Sequence, residues 1–221
     1  MGSITRSFAN NITTSGVLLP ASLTNNSIAN VTAYNAAIAT GGMKLISSQT
    51  ASNSASISFT TGIDSTYKEY QFYFINIHPV TDNVQFQFNM STDAGSNYNV
   101  TKTTTLFRAY HYEDGSSAGL DYILAGDLAQ STAFQPLNQS TLFSNASDEN
   151  LGGTMSLFNP SSTTYVKHFI HNNNGNFFDA GDICLTHYVA GYANTTSAIN
   201  AIQFKMSSGN IDGTILMYGI V

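Results

Sequence analysis

After residue 42 the chain never holds a helical period for more than two turns, and its apolar residues recur instead at every second position. The stretch NVQFQFNM shows this most cleanly. Val84, Phe86, Phe88 and Met90 fall on one face of an extended strand, and Gln85, Gln87 and Asn89 on the other. SASISFTT repeats the pattern with Ala55, Ile57 and Phe59 on one face. KEYQFYFINIH is apolar on both faces, with Tyr70, Phe72 and Phe74 against Tyr73, Ile75 and Ile77, which predicts a strand covered on both sides and ended by Pro79. Further strand patterns are MKLISS, NVTKTTTLFRAYHYE, GTMSLFNP, TTYVKHFIH, DICLTHYVAGY, AIQFKMSS and GTILMYGIV. Many short strands separated by Asn, Gly, Ser and Asp predict an all-β, antiparallel, jelly-roll-like β-sandwich over residues 43–221. The wholly apolar TILMYGIV is expected in the centre of a sheet.

The polar stretch STDAGSNYN follows NVQFQFNM and tests whether the chain carries a metal loop. A calcium loop sets several carboxylates at alternate positions around a glycine. Here Asp93 is the only acid, and Gly95, Ser96 and Asn97 are turn formers, so the stretch is a turn between two strands.

Residues 1–42 read differently. After Arg6 they carry no charge and keep no period, so we expect an extended arm that orders against something else, hinged at Gly41 and Gly42. Arg6 and Phe8 are its candidate docking contacts. The opening MGSITRSFANNITTSG lacks the continuous apolar segment of a signal peptide, so synthesis in the cytoplasm is expected.

Charge narrows the function classes. Asp, Glu, Lys and Arg make up 9 % of the 221 residues, against about 25 % in an ordinary soluble protein. With 7 Lys plus Arg and a net charge of −6, clustered positive charge for nucleic acid is missing. No apolar run approaches the roughly 20 residues of a membrane helix. A surface of Asn, Ser and Thr suits a protein buried against copies or neighbours, with few charges to desolvate. Cys184 has no second cysteine to pair with and is expected as a buried thiol.

Catalytic constellations are weak. GSSAG at 115–119 matches the nucleophile elbow with Ser117, but that elbow needs a strand-to-helix turn in an α/β sheet. Glu113–Asp114 and Asp148–Glu149 are adjacent carboxylates that solvate turns unless one from each loop converges for glycoside cleavage. His168 and His171 are three apart and face opposite sides of a strand, short of the converging ligands a metal needs. We expect no catalytic residue, no metal and no cofactor. Tyr110, Tyr112, Phe177 and Phe178 stand beside polar loops and are the candidate glycan or partner contacts, because ring faces cover apolar sugar faces while amides and acids bond hydroxyls.

Three stretches resemble a family of structural proteins of tailed bacteriophages of marine and freshwater hosts. They are GIDSTYKEYQFYFINIHPVTDNVQFQFNMSTDAGSNYNVTKTTT, LFNPSSTTYVKHF and INAIQFKMSSGNIDGTILMYGIV. The opening SITRSFANN is similar to the start of phage fibre-type proteins. The resemblance implies a jelly-roll sandwich on the virion surface, a homotrimer attached to tail or major capsid proteins, with no cofactor. The expected role is a displayed fibre or spike component contacting host-surface polysaccharide. The alternatives are a capsid decoration protein that stabilises the head, and a polysaccharide-cleaving tailspike using Glu113 or Glu149.

Overall fold

The structure, a computed structural model, describes residues 42–138, 143–179 and 181–221. The arm read over residues 1–42, with Arg6 and Phe8, lies outside the described residues except for Gly42. The described strands are β1 (Met43–Ser54), β2 (Ile57–Phe59), β3 (Glu69–Pro79), β4 (Phe86–Ser91), β5 (Lys102–Tyr112) and β6 (Ala118–Tyr122). They continue with β7 (Gln135–Pro136), β8 (Leu151–Phe158), β9 (Lys167–Phe178), β10 (Asp182–Ala193), β11 (Ala201–Met206) and β12 (Ile211–Ile220). They form an eight-stranded sheet in the order β1-β12-β3-β8-β9-β10-β5-β6 and a four-stranded sheet β2-β11-β4-β7.

The pairing order reveals how the chain rolls up. β1 pairs with β12, β2 with β11, β3 with β8 and β4 with β7, all antiparallel. Nested pairs of this kind arise when one long hairpin rolls into two facing sheets, which is a jelly roll. Two hairpins interrupt the roll: β5–β6 between β4 and β7, and β9–β10 between β8 and β11. They join each other through the β10–β5 pairing and extend the large sheet by four strands beyond the roll.

The alternation in the sequence decides what fills the roll. Val84, Phe86, Phe88 and Met90 are buried as their period required. Phe204, on β11, is the hub. Its ring lies 5.2 Å from Phe74, 5.4 Å from Phe72, 5.9 Å from Phe86 and 6.4 Å from Phe59, centroid to centroid. Each such ring pair adds about 1 kcal/mol beyond the area it buries. β12 lies between β1 and β3, paired on both sides, one place in from the edge. STDAGSNYN is a turn: the Asp93 carboxylate accepts from Ser91 Oγ and from the Asn97 backbone and side-chain amides, and Gly95 takes φ +87°. Those bonds, Ser91 first, hold Asp93 down to about pKa 2.

Several expectations need correction. β3 is covered on one face only, because nothing among the described residues shields the outer side of the large sheet. Tyr70, Phe72 and Phe74 are buried, while Tyr73 is partly exposed and Ile75 is 43 % exposed. Ile77, read on the same side as Ile75, is fully buried. A bulge between Phe74 and Ile77, with Asn76 at φ +50°, inserts one residue and reverses the phase. Ala55 falls between β1 and β2 and is exposed. Cys184 is also exposed rather than buried, because Ile183, Leu185, His187 and Val189 claim the inward phase of β10.

Candidate functional site

The four-strand extension has two different faces. On the inner side, a chain of hydrogen bonds runs through groups that are all buried. His171 lies with Nδ1 2.9 Å from the Thr154 carbonyl, so Nδ1 donates and Nε2 is left to accept. Asn173 Nδ2 donates to that Nε2 at 3.0 Å and to the Leu137 carbonyl at 2.9 Å. Asn173 Oδ1 accepts from His187 Nδ1 at 3.1 Å. Burial keeps both rings neutral, lowering His171 to about pKa 4 and His187 to about 3, the latter helped by nearby His171 and Arg108. His187 Nε2 has no partner among the described residues. This network ties β9 to β8, to β10 and to the 135–138 segment.

The outer side is unlike it. Register brings Tyr188 of β10 between Asn172 of β9 and Phe107 of β5, and Phe107 next to Tyr122 of β6. Phe107 and Tyr188 stack with centroids 4.9 Å apart and planes 11° from parallel. Two residues along β10, Ala190 is flanked by Ile170 and Thr105, and beyond it Tyr192 contacts the His168 ring at 6.1 Å. The small Ala190 between two tyrosines leaves a shallow groove of about 450 Å3 walled by Tyr192, His168, Ile170 and Thr105.

Exposure there is high for apolar side chains. Ile170 is 56 % exposed, and Leu120, Tyr122 and Leu124 at the β6 edge are more exposed still. The outward positions of β9 from His168 to Asn176, of β10 from Cys184 to Tyr192 and of β5 from Thr103 to His111 contain no Asp, Glu, Lys or Arg. Burial thins the surface charge further, because Lys102 and Lys167 are fully buried. A large uncharged patch that ends on an open strand edge is the chemistry of a protein interface.

The candidates read from the sequence do not form one site. Tyr112 and Phe177 both pair with Ile183 and share the inner face, while Phe178 pairs with Asp182 on the outer face. Phe177 is withdrawn as a surface contact: it is fully buried, its ring against Phe143 at 5.0 Å and His187 at 5.8 Å. Tyr110 is half-buried against the core, with Arg108 over its ring. Phe178 is 52 % exposed. Tyr112 reaches a cleft lined by Glu113, Asp114, Ser116, Asp179 and Asp182, and its hydroxyl donates to Asp179 Oδ2 at 3.1 Å. That bond raises the Tyr112 phenol above its usual range.

Glu113 and Glu149 are not paired across a cleft. Glu149 is buried before β8 and accepts from the Ser144 amide, whereas Glu113 follows β5, three strands away in sheet order. At about 4.8 Å per strand that is roughly 14 Å, wider than either glycosidase geometry. Ser117 lies in the turn of the β5–β6 hairpin and leads directly into a strand, not into the helix that a nucleophile elbow requires. Among the described residues no three His, Cys, Asp or Glu side chains are grouped to hold a metal.

No protein-family model, curated protein or solved structure matches the chain. The sequence pattern marks DICLTHYVAGY as a strand without assigning its faces, so the outer face of β5, β9 and β10 is not singled out by it. Its second phase, Thr186, Tyr188, Ala190 and Tyr192, was the signal available.

Proposed function

We propose that this chain is a non-enzymatic structural component of a tailed-phage virion, a homotrimer displayed on the particle surface as part of a fibre or spike. The observation that carries the reading is the outer face centred on Phe107, Tyr188 and Ile170, uncharged and apolar at a strand edge. Covering it with another copy of the chain removes exposed apolar area without desolvating any charge. Tyr112 projects on the opposite side of the sheet from Tyr188. One aromatic ring beside Glu113, Asp114 and Asp179 suits sugar hydroxyls, which makes host-surface polysaccharide its ligand.

Light scattering on the purified chain tests the assembly, with a mass of three chains expected; a monomer at micromolar concentration overturns it. Gold-labelled antibody to residues 43–221 tests the placement on virions. Label at the tail end supports a fibre, and label spread over the head replaces it with a decoration protein clamping the capsid.

A further inference from the structure

We propose that Lys102 and Asn89 condense into an intramolecular isopeptide bond that staples β4 of the small sheet to β5 of the large one. Asn89 occupies an outward phase of NVQFQFNM and yet is fully buried, as is Lys102. Lys102 Nζ donates to Asn89 Oδ1 at 2.5 Å and to the Val100 carbonyl at 2.8 Å, both uncharged acceptors. A buried ammonium without a counter-charge is costly, and an amide at the same place carries none.

The surroundings of the Asn89 amide match the parts an acyl transfer needs. Oδ1 also accepts from the Met90 backbone N–H at 2.9 Å, a donor placed where negative charge would develop. Nδ2 donates to the Tyr98 carbonyl at 2.7 Å and the Thr132 carbonyl at 3.0 Å, acceptors for a departing ammonium. Burial lowers Lys102 to about pKa 7 with no charged neighbour involved, so a neutral amine is present at neutral pH.

In the step itself the Nζ lone pair attacks Cγ, and the C=O pair moves onto Oδ1 beside the Met90 N–H. A proton passes from Nζ to Nδ2, the Cγ–Nδ2 bond breaks, and ammonia leaves. One C–N bond forms and one breaks, with no change of oxidation state and no co-reactant. The gain is held proximity, since the two groups are fixed within contact in a dry site. Among the described residues no carboxylate bonds to Lys102 Nζ or to the Asn89 amide, so the reaction is slow and accumulates as the folded protein ages.

Peptide mass spectrometry on the full-length protein, fresh and after prolonged incubation at neutral pH, reads this directly. Trypsin cannot cleave after an acylated lysine, so the linked form yields residues 69–108 as one peptide, lighter by one ammonia. It should give no backbone fragments separating residue 89 from residue 102. Asn89→Asp should link with loss of water instead. Cleavage after Lys102 at full sequence mass in aged protein overturns the proposal. So does the same ammonia loss in Lys102→Met, which would mark cyclisation of an asparagine onto its own backbone.

Discussion

The rings of Phe107 and Tyr188 stack face to face, 4.9 Å apart and 11° from parallel, on an outer sheet face where both remain 40 % exposed. Stacked aromatics on adjacent strands add stability to their own sheet, but the part of each ring left in water is apolar area that a second layer would bury. Tyr188→Asp puts a charge at the centre of the proposed subunit contact. We expect it to convert the trimer to monomer in sedimentation analysis while the far-ultraviolet spectrum is unchanged. Tyr112→Ala should do the reverse, keeping the trimer and losing host-polysaccharide binding.

Acid should unfold this protein through its buried histidines. The unfolded chain takes up protons on both rings near pH 6.5, whereas the fold resists until about pH 4 at His171 and about 3 at His187. The unfolded state therefore binds more protons between those limits. Stability is fully present above 6.5 and falls as pH drops toward 3, by several kcal/mol in order of magnitude. A scan of melting temperature against pH should show this slope, and His187→Gln, which keeps a donor for Asn173 Oδ1, should flatten it. An equal slope in the variant would place the acid sensitivity elsewhere.

Gly213 is required by the bulge in β3. It takes φ +123°, and a Cβ there would stand 2.6 Å from the Asn76 carbonyl oxygen and 2.9 Å from Ile77 Cα. Gly213→Ala should cost about 2 kcal/mol or more through strain that neither strand can relieve. Chemical denaturation measures this. A variant as stable as the parent would show that the bulge is soft.

Removing Gly219–Val221 strips β12 of pairing on both sides. Gly219 faces Lys44 and Tyr70, Ile220 faces Met43 and Glu69, and the Val221 amide donates to the Gly42 carbonyl at 3.1 Å. A loss of about 2 kcal/mol corresponds to a fall in melting temperature of roughly 4–8 °C for a domain this size. A truncated chain that melts with the parent and stays trimeric would count against an internal role for the C-terminal strand.

The strands were legible because a two-residue period is a local property: Val84, Phe86, Phe88 and Met90 must face one way whatever the rest of the chain does. The turn at Asp93 was legible for the same reason, its bonds being made within a few residues. Which sheet face receives a second layer is not local. DICLTHYVAGY and KEYQFYFINIH are apolar in both phases, and only the rolled pairing of β1 with β12 through β4 with β7 decided that the Ile75, Tyr188 and Ile170 side stays open. The same packing took Phe177 into the core, set Glu113 and Glu149 on different strands, and buried Asn89 against Lys102. By itself the sequence determined an uncharged antiparallel sandwich. The tertiary structure decided its chemistry, because burial and contact between residues far apart in the chain depend on how whole sheets meet.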